Sequence, residues 1–275
     1  MTEPALWGLR RSLLDWGDRL HVAAPAVRAY ELALAARSRL SSRNGLETGG
    51  VPLPPALLRA QAGPKHADAA YFLQSGAHHA ALIQELLQEQ GTSVEELGAL
   101  LDWGCGCGRI LRHWAKLEQT RICGCDINPR MVDWCTEHLP FAEVVRNELR
   151  PPVGFADGSF GLVYALSVIT HLPEDLQRAW VGECRRLLRR GGYLLFSTLG
   201  EYYLSLQRLT SDERRSFESG NLVVLYEGAP GTSLCSAYHP PRYVHEQLAE
   251  GFDVVAFHPA AQDGRHDIYL LRKPA

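Results

Sequence analysis

Leu101-Asp102-Trp103-Gly104-Cys105-Gly106-Cys107-Gly108-Arg109 is an apolar run that ends near a carboxylate and then passes through three alternating glycines. A strand reaching Asp102, followed by glycines at 104, 106 and 108, lets the backbone turn sharply and lets a ligand touch main-chain atoms with no Cβ in the way. The dinucleotide fingerprint G-x-G-x-x-G asks for glycine at the position held by Arg109, so the helix packing and pyrophosphate geometry of a nicotinamide site are not supported. On this stretch alone, a glycine-rich turn with a purely structural purpose remains the alternative.

Outward from the turn, strand-like and helix-like segments alternate. Helical spacing runs over 71–90 and stops near Gly91. Extended runs are read at 97–103, 120–125, 141–146, 162–168 and 193–198, with helical stretches at 109–117, 131–138 and 174–189. This order implies βαβ units and a mostly parallel sheet with helices on both faces, joined by right-handed connections. Residues 252–257 and 267–271 are extended, with a polar loop at 260–266 and no helix between, which predicts an antiparallel hairpin on the sheet edge. The 200–250 stretch is too long for a simple crossover and is expected to supply a substrate lid, with a helix start at Ser211-Asp212-Glu213 and a short extended piece near 231–238. Before the main domain, 6–40 reads as two amphipathic helices and 41–55, with three glycines and three prolines, as a linker. The division is therefore 1–55, a lid or oligomer contact, and 56–275, the main domain.

The second strand ends at Asp126, 18 residues beyond Gly108, where a carboxylate can accept hydrogen bonds from both hydroxyls of a ribose or, alternatively, cap the next helix. Ile127 offers an apolar side chain to an adenine face. With these features in order, the chain resembles the class I S-adenosylmethionine-dependent methyltransferases over about residues 71–273. The resemblance continues through 155–164 (FADGSFGLVY), 168–173 (VITHLP) and 187–194 (LLRRGGYL). It implies an α/β fold with a seven-stranded, mostly parallel sheet, helices on both faces, a C-terminal antiparallel hairpin and, here, an N-terminal helical segment. It also implies S-adenosylmethionine as cofactor, with Asp102, Gly104, Gly106 and Gly108 bordering its methionine moiety, Asp126 on the ribose and Ile127 on the adenine. Tyr71, Gly76, Cys105, Arg109, Leu166 and Ser167 complete the expected cofactor site. Two positions depart from the family: Asn147 stands where an acidic residue commonly meets the adenine amine, and its amide oxygen can accept that bond. Gly161 replaces an Asp often found at the start of strand four.

Methyl transfer is an in-line displacement at an activated carbon, so a protein must align the nucleophile and strip it of water; an alcohol or ammonium acceptor also needs a base. His171 is the candidate base, in a loop above the carboxyl end of the sheet with Ser167 and Thr170. Orienting a loop or touching the cofactor are its alternative roles. Thr170, His171, Tyr202, Tyr203, Tyr238, His239 and His266 are the candidate substrate contacts, with packing as the plainer role for the two tyrosines at 202 and 203. Cys105-x-Cys107 and Cys123-x-Cys125 invite a zinc site, but two of these cysteines lie inside the turn and two on one strand face, so buried thiols are expected and no metal. His78-His79 reads as helix surface or lid contact, since adjacent helical residues face different ways.

The composition bounds the partners. The chain has 275 residues, 46% hydrophobic, with 28 Lys+Arg against 31 Asp+Glu and a net charge of −3. No like-charge block marks a nucleic-acid or membrane surface. Charges within the N-terminal stretch interrupt any signal-peptide core, and seven cysteines, an odd number, suit reduced thiols, so a cytoplasmic protein is expected. The expected reaction is methylation of a small molecule, oxygen first and nitrogen or sulfur next, without nucleic-acid or membrane partners and with a homo-oligomer through the N-terminal helices as the candidate assembly. The rivals are a protein that binds the cofactor without methylating and, further off, a nicotinamide-dependent oxidoreductase.

Overall fold

The computed structural model describes residues 50–206 and 209–275; the N-terminal helices read at 6–40 lie outside them. Seven strands form one sheet: β1 (Ala99–Trp103), β2 (Arg121–Asp126), β3 (Ala142–Arg146), β4 (Phe160–Ala165), β5 (Leu188–Thr198), β8 (Asp253–Gln262) and β9 (His266–Arg272). Their order is β3-β2-β1-β4-β5-β9-β8, and the first five are mutually parallel. β9 enters antiparallel between β5 and β8, so the hairpin lies at the edge with its last strand inside. The sheet and its antiparallel C-terminal pair are thus as the resemblance implies. The order reverses between β1 and β4, and a crevice opens at the carboxyl ends of strands at such a switch.

Side chains alternate across each strand, and the sheet divides two apolar clusters accordingly. Leu100 and Tyr164 belong to the cluster that receives the helix α2 (Ala69–Glu89) through Phe72, Ile83 and Leu87. Leu101, Trp103 and Val163 belong to the other, with the helix α5 (Glu174–Leu187) through Leu176, Trp180 and Leu187. Asp68 caps α2 by accepting from Tyr71 N at 2.8 Å. Ahead of α2 lies α1 (Ala56–Gln61), and after it a single turn, α3 (Val94–Leu97), closed by a Ser93/Glu96 capping box. Gly98 ends α3 at φ 75°, which moves the start of β1 two residues past the sequence expectation.

The helix expected over 109–117 is a 3-10 turn, Leu111–Trp114. It is bounded by hydrogen-bonded turns on both sides, Gly108 N to Cys105 O before it and Leu117 N to Trp114 O after it. Trp114 Nε1 donates to Tyr164 Oη at 2.9 Å and fixes the turn to β4. A proper helix, α4 (Pro129–His138), follows β2. β4 stops at Ala165, short of the expected 168, because Ser167 adopts φ 61° and leaves the sheet direction. A Cβ on Gly161 would sit 2.3 Å from Leu97 O, so the glycine found there is demanded by close backbone approach.

The 200–250 stretch contains α6 (Ser211–Glu218), a two-stranded sheet of β6 (Val223–Leu225) and β7 (Ser236–Tyr238), and α7 (Pro241–Tyr243), which runs on as a π turn over Val244–Leu248. Of the extended piece expected at 231–238, the last three residues pair. None of the described helices is long and apolar enough to cross a membrane.

Candidate active site

A cavity of about 1460 Å³ opens at the carboxyl ends of β1, β2 and β4. Asp102 to Gly106 form its floor, Asp126 to Met131 and Asn147 to Leu149 one side, and Leu166 to Val168 with His171 and Leu172 another. Ala60 to His66, Tyr71 and His79 come from α1 and α2, and Gln262, Asp263, Arg265 and His266 from the β8–β9 turn.

The floor is glycine for steric reasons. Gly104 stands at φ 76°, and a Cβ there would lie 2.4 Å from Val168 Cγ2. Gly108, at φ 75°, packs away from the cavity against Leu139. Asp126 Oδ2 accepts from Gly106 N and its Oδ1 from Asn128 N, both at 2.8 Å, so the carboxylate braces the turn and keeps lone pairs for a further donor. The cap of α4 is Asn128, whose Oδ1 accepts from Arg130 N, and this takes from Asp126 the capping role left open by its sequence position. Burial pushes the Asp126 carboxyl above the usual range. Ile127 is 38% exposed beside it. Asn147 is buried; its Nδ2 donates to Glu148 O, while its Oδ1 has no hydrogen-bond partner. An orphaned, buried amide oxygen at the end of β3 suits an exocyclic amine, and the cradle as a whole fits S-adenosylmethionine.

A polar ladder closes the opposite wall. Asp102 is buried, faces Arg109 and receives a bond from Tyr164; desolvation outweighs both and raises its carboxyl to about 7. Arg109 Nη1 donates to His79 Nδ1 at 2.7 Å and reaches Ser75 Oγ at 3.5 Å. Arginine only donates, so His79 carries its proton on Nε2, which faces Asp263 Oδ1 at 3.3 Å. Gly76 lets α2 approach, since a Cβ there would meet Arg109 O at 2.3 Å. His79, read from sequence as a surface or lid residue, is thus 2% exposed and lines the cavity. Ser75, Gly76 and His79 share the buried face of α2 with Phe72 and Ile83, and that spacing was the signal available.

The far half of the cavity holds His171. Its Nδ1 lies 2.8 Å from Cys235 O; a carbonyl only accepts, so the ring proton is on Nδ1 and Nε2 is the basic nitrogen. Burial lowers the pKa of His171. Tyr203 Oη meets His266 Nε2 at 3.3 Å, and burial holds His266 down at about 4. The structure brings Tyr71, Asp102, Gly104, Cys105, Gly106, Arg109, Asp126, Ile127, Asn147, Leu166 and Ser167 to the cavity wall, with His171, Tyr203 and His266. It places the other four substrate-side candidates off that wall. Thr170 is buried under the loop, Tyr202 is 36% exposed, and Tyr238 packs against Tyr203. His239 is buried with Nε2 3.0 Å from Gln177 Oε1. Cys105 and Cys107 face one apolar cluster and Cys123 and Cys125 the other, so the two pairs do not converge. Gln262, Asp263, Trp180 and His66 line the cavity without having been singled out in the sequence.

The fold is that of the class I S-adenosylmethionine-dependent methyltransferases, and residues 101–196 match the family described as methyltransferase domain. Over 127 residues the chain is 32% identical to a malonyl-[acyl-carrier protein] O-methyltransferase of Hahella chejuensis, covering 43% of this chain and 44% of that protein. Over 103 residues it is 31% identical to a ubiquinone biosynthesis O-methyltransferase of Cereibacter sphaeroides, covering 36% and 40%. A tRNA N(3)-methylcytidine methyltransferase of Drosophila melanogaster matches at 28% over 131 residues, covering 44% and 40%. The chain thus spans about two fifths of the length of the relatives it matches. Among solved structures, a SAM-dependent methyltransferase of Methanosarcina mazei superposes with a TM-score of 0.51 at 18% identity, covering 68% of this chain and 97% of that one, a likeness of fold.

Proposed function

We propose that this chain transfers the methyl group of S-adenosylmethionine to an oxygen of a neutral small molecule, with His171 as the base. Bound in the cradle, the sulfonium supplies an activated methyl carbon. Asp126, Asn147 and the glycine floor hold the cofactor's ends, so that a nucleophile entering from the His171 side meets that carbon in line. The observation that carries the reading is the placement of one imidazole, pinned through Nδ1 to Cys235 O and basic at Nε2, on the cavity wall opposite the cofactor cradle.

The surroundings favour oxygen. Leu172, Tyr203, Thr232, Gln262 and His266 line this half, and the opposite charges of Asp263 and Arg265 on the same turn leave it without a net charge, which suits an uncharged acceptor better than an ammonium or a phosphate. A base weakened by burial is better matched to an aromatic hydroxyl, near ~10 for the phenol of tyrosine, than to an aliphatic alcohol, a far weaker acid. O-methylation is also what the two most similar relatives named above perform on their own substrates.

The test is binding followed by turnover. S-adenosylhomocysteine should raise the melting temperature of the full chain where NADH does not. His171→Ala should bind S-adenosylhomocysteine as the wild type does and lose about 10²- to 10⁴-fold in kcat, the range of a lost general base. An alanine variant with full turnover at saturating acceptor removes His171 from the reaction.

A further inference from the structure

The last rung of the β8–β9 ladder pairs Gln262 with His266. Cross-strand partners point to the same face with Cβ atoms about 5 Å apart. Both residues line the cavity, and each carries a buried polar atom without a hydrogen-bond partner: Oε1 of Gln262 and Nδ1 of His266. Gln262 is 3% exposed, and its other amide atom is committed, Nε2 donating to Ser167 Oγ at 3.1 Å. With Nε2 on Ser167, Oε1 is the amide atom left for the cavity. A buried polar atom left without a hydrogen bond is costly, so two of them on one wall are placed to meet a ligand group.

We propose that this rung is the specificity site for the acceptor, holding a second, neutral hydroxyl next to the one that receives the methyl group, so that the preferred acceptor is an aromatic ring with two adjacent hydroxyls. The inference rests on the O-methylation reading above and names its substrate class. Gln262 Oε1 can only accept, so its partner carries a proton. Tyr203 Oη can donate to His266 Nε2, and in that arrangement Nδ1 holds the ring proton and donates. A hydroxyl meets both needs, giving its hydrogen to Gln262 and taking one from His266. A carboxylate would meet Gln262 Oε1 without a proton to give it, and an ammonium would meet the Nδ1 proton without a lone pair. The rung is also close to the base: Ser167, which orients Gln262, precedes His171 by one loop turn, and the charging of His171 opposes that of His266. One hydroxyl then stands at His171 and its neighbour at the rung.

The experiment measures binding of 1,2-dihydroxybenzene and of phenol to the full chain saturated with S-adenosylhomocysteine, by calorimetry. The wild type should prefer the dihydroxy compound by about tenfold or more, because the analogue lacking the second hydroxyl leaves the rung unsatisfied. In Gln262→Met and in His266→Phe the preference should fall to about twofold or less, with the affinity for S-adenosylhomocysteine unchanged. His266→Asn, which returns an amide nitrogen near the Nδ1 position, should keep most of it. Equal binding of the two probes by the wild type, or binding of neither, overturns the proposal, as does a preference that survives both rung variants. If the wild type fails to bind S-adenosylhomocysteine, the methyltransferase reading itself falls; if it binds and the probes are not distinguished, only the rung does. Should one variant not fold, the wild-type ratio and the other variant decide.

Discussion

At Gly104 the backbone sits at φ 76°, and any methyl group there would lie 2.4 Å from Val168 Cγ2. Gly104→Ala therefore combines a left-handed conformation costly to L residues with a clash against the loop that carries Ser167 and His171. It should lower stability by about 1–3 kcal/mol in a urea titration. Val168 would be pushed into the cofactor cradle, so S-adenosylhomocysteine should bind about tenfold or more weakly by calorimetry. An alanine variant unchanged in both would show that the floor is not sterically fixed. These floor residues were legible in the sequence because strand, glycines and Asp126 are local features whose spacing carries the chemistry. His79 and Gln262 were not. Their roles depend on Arg109, 30 residues from His79, and on Ser167, 95 residues from Gln262. No periodicity reports contacts of that range. For the same reason His239, read from sequence as a substrate contact, is found inside on Gln177.

Among the elements, α6 is held at its start by a reciprocal box: Thr210 Oγ1 accepts from Glu213 N, and Glu213 Oε2 accepts from Thr210 N at 2.8 Å. Thr210→Ala should cost this helix about 1 kcal/mol. The loss should appear as faster amide exchange confined to 211–218, with affinity for S-adenosylhomocysteine unchanged, since α6 does not touch the cradle; slowed or unchanged exchange would contradict the cap. Alternating strands and helices were readable because a buried parallel strand and an amphipathic helix each impose a period on the sequence. The stretch 109–117 misled for a physical reason. Its apolar residues recur as on a helix, yet hydrogen-bonded turns on either side confine it to a single 3-10 turn. The 200–250 stretch offered little because its short pieces, β6 and β7 among them, exist through pairing with each other and not through a pattern of their own.

Among the described residues, burial lowers six histidines: His66, His113 and His266 to about 4, His239 to about 3, and His79 and His171 below the 6.5 of an ordinary histidine. Between pH 6.5 and 4 the unfolded chain protonates these groups and the folded chain does not. The unfolded state then binds more protons, so stability falls as pH is lowered through that window. Asp102, at about 7 in the fold and 3.8 as its ordinary value, acts with the opposite sign over a similar span, holding its proton in the folded state. Burial raises Asp126 and Asp267 in the same sense as Asp102, and six histidines outweigh these three carboxyls. The urea midpoint should drop steadily from pH 7 to pH 4.5, and a midpoint that rises on acidification would mean that the histidines are not buried as described. β9, late in the chain, lies inside the sheet between β5 and β8, and its first residue supplies half of the Gln262–His266 rung. During synthesis from the N-terminus, the strands that cradle the cofactor leave the ribosome first, and the wall facing the acceptor closes only when residues 266–272 slot against β5. The growing chain should gain the ability to hold its methyl donor before it can choose what to methylate.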